Sequence, residues 1–190
     1  MRRADSLIEM ATRTGAKSIA EIGVWAGELS RAVLSRMPSL DTYIMVDDWL
    51  NIHDKGKRSA ALKVAKEDSR VRVIEHRSLT AAQMFRDSEI DFVYIDAVHD
   101  FDNVISDMRA WWAKCRLVMG GHDYVPWNGC HNSPMGVIPA VEQFSAVRRL
   151  KVIIDGQSLN VPQRLKLAYD RVVSEPHNPD AYPSWYLLKG

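Results

Sequence analysis

The stretch SIAEIGVWAGELSRAVLSRMPSLDTYIMVD, residues Ser18–Asp47, decides the fold. Its opening apolar run reads as a buried strand and leads into Glu21-Ile22-Gly23-Val24-Trp25-Ala26-Gly27, a turn with two glycines. Glu28–Arg36 then reads as a helix stopped by Pro38, and Tyr43–Val46 as a second buried strand ending at Asp47. A strand, a glycine turn and a helix create a nucleotide-sized crevice at a sheet edge. An acid about twenty positions past the turn can accept hydrogen bonds from ribose hydroxyls. The spacing separates two cofactor classes. A dinucleotide site reads G-x-G-x-x-G, whereas Glu21, Gly23 and Gly27 spell E-x-G-x-x-x-G, which points to a mononucleoside-type cofactor. Gly23 lets the backbone approach the ligand, and Gly27 sits where the turn meets the helix. Asp47 directly follows the apolar strand and is the ribose candidate; its neighbour Asp48 suits a helix cap better.

Outward from this unit the pattern repeats. Asp5–Thr14 is weakly helical and ended by Gly15, and Lys17–Ile22 is the first strand. Downstream come a loop over Asn51–Arg58, a helix over Ser59–Glu67, a strand at Val71–Ile74 and a short helix at Thr80–Phe85. Ile90–Ile95 is a strand that stops abruptly at Asp96, Asn103–Ala113 a helix, and Arg116–Met119 a strand ending at Gly120-Gly121. Continuous apolar strands alternating with amphipathic helices predict an α/β fold, a doubly wound and mostly parallel sheet with helices on both faces. Val137–Val147 reads as a helix with Pro139 in its first turn, Lys151–Ile154 as a sixth strand and Trp185–Leu188 as a final, seventh one. Between them, Gln163–Val173 is helical and Glu175–Pro183 loop-like.

Composition narrows the partners. The 190 residues fit one domain, and 46% hydrophobic residues supply a sizeable core. A net charge of +1 with scattered basic residues argues against nucleic acid or a membrane surface as the main partner. No apolar run approaches the roughly 18 residues that cross a bilayer. The first residues, MRRADSLIEMATRTG, lack the apolar segment of a secretory signal. Cys115 and Cys130 are too few for a disulfide framework or a zinc knuckle. A cytoplasmic enzyme acting on a small molecule is the expectation.

Three strand ends carry polar residues, and in a parallel sheet those ends share one edge. Besides the glycine turn, Asp96-Ala97-Val98-His99-Asp100 follows the fourth strand and His122-Asp123-Tyr124 the fifth. Two carboxylates and two imidazoles there could hold a divalent cation. They could equally supply a general base near neutral pH; a plainer reading makes them caps for helices and backbone groups. Ser78, after the third strand, stands where a hydroxyl could meet an adenine edge, and Trp49 could line the same pocket or simply pack. Trp111, Trp112 and Cys115 read as packing, and His53, His76 and His177 as surface histidines. Tyr124, Trp127, Asn128 and His131 either floor an acceptor pocket or form a surface loop.

The E-x-G-x-x-x-G spacing resembles motif I of the class I S-adenosylmethionine (SAM)-dependent methyltransferases. The stretch DFVYIDAVHDFDNVISDMRAWWAKCRLVMGGHDY, residues Asp91–Tyr124, is similar to the core of a small group of them that methylate sugars and natural products. That group reads I-D-x-x-H-x-[YF] after the fourth strand and G-G-x-x-x-G-H-D-Y around the fifth. The resemblance covers Lys17–Tyr124 and extends to Gly136–Phe144. It implies SAM as cofactor, held by Glu21, Gly23, Gly27, Asp47, Ser78 and Asp96, with an antiparallel pairing of the last two strands. It also implies O-methylation with His99 as base beside Asp96, and Mg²⁺ or another divalent metal on Asp96, His122 and Asp123. The stretch 156–183 becomes an insertion in a single domain spanning 1–190, a lid or a contact in a homo-oligomer. In the related macrolide-sugar O-methyltransferases an acid stands where His122 is, and imidazole suits Mn²⁺ or Fe²⁺ better than Mg²⁺. The strand around Val118 also lacks the usual Pro-Gly-Gly turn, and Ala97 replaces a glycine. Three alternatives remain open: a nicotinamide-dependent oxidoreductase, disfavoured by the glycine spacing, a metal-dependent hydroxylase-like relative, and a catalytically silent SAM-binding subunit.

Overall fold

Alternating side chains set the layers. In β1 (Ser18–Ile22), Ile19 packs on one face of the sheet and Ala20 and Ile22 on the other. In β2 (Thr42–Val46), Tyr43 and Met45 oppose Ile44 and Val46. Both faces bury apolar groups, so the strands read as continuous hydrophobic runs. The computed structural model describes residues 2–50, 55–128 and 133–189. The remaining strands are β3 (Val71–Ile74), β4 (Ile90–Ile95), β5 (Cys115–Gly121), β6 (Trp127–Asn128), β7 (Ser133–Pro134), β8 (Val152–Ile154) and β9 (Trp185–Leu188). Apart from the small β6–β7 pair, they form one seven-stranded sheet in the order β3-β2-β1-β4-β5-β9-β8. The pairings among β1 to β5 are parallel, and β9 runs antiparallel to both β5 and β8.

Helices α1 (Arg3–Thr14), α2 (Glu28–Arg36) and α3 (Lys55–Glu67) cover one face, burying Leu7, Met10, Leu29, Val33 and Val64 against Tyr43, Phe92 and Tyr94. Helices α4 (Ser78–Ala82), α5 (Phe101–Trp112) and α6 (Val137–Arg148) cover the other, with Met108, Trp111 and Phe144 in the core. The segment between β8 and β9 contains α7 (Val161–Ser174), opened by a capping box between Asn160 and Gln163, and a single 3-10 turn at Pro179–Ala181. Among the described residues no helix is long and apolar enough to cross a membrane.

The expected elements α2, β3, β4 and β9 have the observed bounds. Three differ. Lys55–Arg58, expected in a loop, begin α3, while 51–54 lie outside the described residues. Helix α4 runs Ser78–Ala82 instead of Thr80–Phe85, because Phe85 leaves it to pack on Trp111 with ring centroids 5.6 Å apart. Gly120 and Gly121 do not turn the chain; they extend β5. A Cβ on Gly120 would lie 2.5 Å from the Tyr186 ring, and one on Gly121 2.5 Å from the Ile95 carbonyl oxygen. Close packing across the sheet, not a bend, requires them.

Candidate active site

The strand order reverses beside β1, where β2 lies on one side and β4 on the other, and this is where open parallel sheets bind ligands. Gly23 has φ +89°, and a Cβ there would lie 2.3 Å from the Asp96 carbonyl oxygen. No other residue fits so close to the end of β4. Gly27, at φ +80°, opens α2 with Ala61 Cα only 3.2 Å from where its Cβ would be. Asp47 finishes the turn from the neighbouring strand. Its Oδ2 accepts the N–H groups of Val24 at 2.8 Å and Trp25 at 3.1 Å, and its Oδ1 that of Trp49 at 2.8 Å. Trp25 is thereby held at φ +56°, an uncommon conformation for so bulky a residue. Trp49 Nε1 donates to its carbonyl at 2.8 Å, and its half-exposed ring faces the cleft.

The cleft beyond this turn measures about 720 Å³. Gly23, Asp47, Ser78 and Asp96 line it as expected, and Asp48 joins Asp47 there. Ser78 Oγ donates to Asp107 Oδ1 at 2.5 Å and accepts Trp111 Nε1 at 2.9 Å, so Trp111 does more than pack. Burial pushes the Asp107 carboxyl up to about 6, although the Ser78 hydrogen bond pulls the other way. Trp25, His76 and Asp107 also line the cleft, and the sequence reading assigned them no role there. A tryptophan between two glycines was the available signal for Trp25. For Asp107 there was none, because only the packing of α5 on the sheet aims it inward.

Glu21 is a correction. Its side chain is buried outside the cleft, beneath the turn, where its carboxylate accepts the hydroxyls of Ser30 and, at 2.7 Å, Tyr43. Burial pushes its pKa up to about 7 against the pull of these hydrogen bonds. The strand's inside-outside alternation turns residue 21 away from residue 22, which does line the cleft.

Asp96 joins the cleft to a charged cluster. His99 Nε2 lies 2.8 Å from Asp123 Oδ2 and 3.5 Å from Asp96 Oδ1. Despite this proximity the buried nitrogen has no hydrogen-bond partner of regular geometry. Arg3 Nη1 donates to the other Asp96 oxygen at 2.5 Å. Burial opposes charge on His99, but the carboxylates of Asp123 and Asp96 outweigh it and push its pKa up to about 10. Burial likewise opposes ionisation of the two acids; His99 and Arg3 hold Asp96, and His122 and His99 hold Asp123, below the usual carboxylate range.

The ligand atoms of Asp96, His99 and Asp123 converge within 4.8 Å of one another, a donor set that fits a divalent cation. The expected set had His122 in place of His99. His122 instead sits behind Asp123, fully buried, with Nδ1 3.2 Å from Asp123 Oδ1 and Nε2 without a hydrogen-bond partner. Asp123 itself adopts φ +55°, which swings its carboxylate between the two imidazoles. The next residue, Tyr124, donates to Glu142 and accepts from Arg164 of α7 at 3.2 Å; it is an anchor in the core rather than a pocket floor. Trp127 packs edge-on to Tyr169. The side chain of Asn128, together with His53, Cys130 and His131, lies outside the described residues.

A family model described as "Methyltransferase domain" matches residues 20–124, the span that holds the glycine turn and every member of the cluster except Arg3. No curated protein sequence matches the chain. Among solved structures, a Bacillus cereus O-methyltransferase in complex with S-adenosylhomocysteine (SAH) is similar at TM-score 0.64 and 16% identity, covering 98% of this chain and 80% of that one. An SAH-bound methyltransferase from Podospora anserina gives 0.62 and 16%, over 99% and 78%. A Thermotoga maritima spermidine synthase gives 0.62 and 16%, over 96% and 57%, so likeness of fold alone does not choose the group transferred. The family match over more than half the chain does: this protein belongs to the methyltransferase-domain family and is a class I SAM-dependent methyltransferase.

Proposed function

We propose that the protein transfers the SAM methyl group to a hydroxyl of a small molecule, a sugar or another metabolite, with His99 as base. One observation carries this reading. His99 Nε2 stands between Asp96 and Asp123 at the edge of the cleft where Gly23 meets Asp96. The sulfonium is already activated, so the protein has to align donor and acceptor and take one proton. In the free protein the two carboxylates keep His99 charged. A sulfonium bound against Asp96 offsets that negative charge and returns the imidazole toward its neutral, basic form. Likeness to the Bacillus cereus O-methyltransferase supports oxygen as the acceptor atom.

For the cofactor, Gly23 and Gly27 shape the turn and Ser78 meets the adenine. Asp47 uses three of a carboxylate's roughly four acceptor sites on backbone N–H groups, leaving one for a ribose hydroxyl. Glu21 acts from beneath the turn. A divalent cation fits Asp96, His99 and Asp123, and the imidazole in that set favours Mn²⁺ or Fe²⁺ over Mg²⁺. Bound there, it would occupy the His99 imidazole and, in place of that base, supply Lewis-acid lowering of the acceptor hydroxyl's pKa. The chain acts as one domain with 156–183 as an insertion beside the acceptor side, in the cytoplasm.

The test is transfer of labelled methyl from SAM to a panel of mono- and disaccharides and phenols, with and without EDTA. The expected result is an O-methyl product that His99→Ala abolishes while SAH binding persists. Methyl delivered only to nitrogen or sulfur, or an unchanged rate in His99→Ala, contradicts the proposal.

A further inference from the structure

Arg3 is a member of the charged cluster that no motif contains. From the first turn of α1 it reaches Asp96, 93 residues along the chain. Its Nη1 donates to Asp96 Oδ2 at 2.5 Å, and its Nη2 lies 3.1 Å from Asp180 Oδ1 in the segment between β8 and β9. The side chain is three-quarters buried. Asp96 is therefore divided: Oδ2 belongs to the guanidinium, and Oδ1 faces His99 and Asp123.

This places a fixed positive charge on the carboxylate that a divalent cation would need. A guanidinium cannot lose its proton in a protein, so it cannot relieve the repulsion by neutralising itself. Like charges this close in a partly buried site repel, and a divalent ion doubles what a single charge would feel. The guanidinium has one way out. Asp180, half exposed and already within reach of Nη2, offers a second carboxylate on the solvent side.

Building on the reading of Asp96, His99 and Asp123 as a cation site, we propose that Arg3 competes with the divalent cation for Asp96 and moves onto Asp180 when the cation enters. Arg3 is thus a positioning residue that sets metal affinity. Occupancy of the cluster is coupled through it to the contact between α1 and the β8–β9 segment.

The experiment is calorimetric titration of the full chain, saturated with SAH, with MnCl₂. Arg3→Ala and Arg3→Gln should bind Mn²⁺ about tenfold tighter than the wild type, or bind where the wild type shows no heat. Arg3→Lys, which keeps the charge, should stay near the wild type. Asp180→Ala, which removes the place Arg3 moves to, should bind Mn²⁺ more weakly. Arg3→Gln keeps an N–H donor for Asp96 and serves if the alanine variant does not fold. Equal Mn²⁺ affinity in wild type and Arg3→Gln, or no heat with either, overturns the proposal. SAH affinity measured on the same samples reports separately on the methyl-donor site.

Discussion

Asp47 Oδ2 accepts the backbone N–H of Trp25 at 3.1 Å, so the acid that ends β2 holds the turn that ends β1. Together with the bond from Val24 it fixes the loop before any ligand arrives. Removing the carboxylate leaves these part-buried and exposed N–H groups to water, at a cost of about 0.5–1.5 kcal/mol per bond lost. Asp47→Ala should therefore lower the unfolding temperature and weaken SAH binding together, by calorimetry about a hundredfold on the combined loss of loop and ribose contacts. Asp47→Asn keeps one acceptor oxygen and should lose less. Unchanged SAH affinity in Asp47→Ala would remove the residue from the cofactor site.

Gly23 admits no side chain. A Cβ would meet the Asp96 carbonyl oxygen at 2.3 Å, and φ +89° is strained for any L-residue. Gly23→Ala should destabilise the fold by roughly 3 kcal/mol and abolish SAH binding. Denaturant unfolding measures the first effect and calorimetry the second. A variant of wild-type stability that still binds SAH would contradict the close approach of β1 and β4.

His99 should remain charged in the cofactor-free protein at pH 8, since its pKa is raised from 6.5 to about 10. The sign follows from a raised basic group. Its contribution to stability is complete below pH 6.5 and is lost as pH rises through 10. An NMR titration of the imidazole carbons reads the protonation directly, and adding SAM should lower the midpoint. A midpoint near 6.5 in the free protein would mean that Asp96 and Asp123 do not hold the proton.

Glu21 works in the same direction at lower pH. Its carboxyl is raised from 4.5 to about 7, so between those values the folded protein holds a proton that the unfolded chain has released. Stability therefore falls as pH rises through this window, by on the order of 3 kcal/mol in total. Glu21→Gln keeps an oxygen for Ser30 and Tyr43 and removes the buried charge. Thermal unfolding from pH 4 to 8 should show a flatter profile for the variant and a higher melting temperature than wild type at pH 8. Parallel profiles would mean that Glu21 ionises freely.

Much of this was legible in the chain because it is local. Ile19 to Ile22 alternate between two buried faces, and the glycines at 23 and 27 mark where β1 turns into α2. The shared edge of Asp47, Asp96 and Asp123 follows from parallel strands alone. Side-chain direction was less accessible. Glu21 belongs to the motif yet points away from the cleft, and His99 rather than His122 completes the trio with Asp96 and Asp123. That distinction depends on φ +55° at Asp123, which turns its carboxylate toward both rings. Arg3 and Asp107 carried no signal, because each acquires its place only when a helix docks on the sheet.

The proposed function puts the methyl donor in the cleft between Gly23, Asp47 and Asp96. Calorimetric titration of the wild-type protein with SAH tests it most directly. The expected result is one site per chain with micromolar affinity and no heat from NAD⁺ under the same conditions. Heat from NAD⁺ and none from SAH would contradict it.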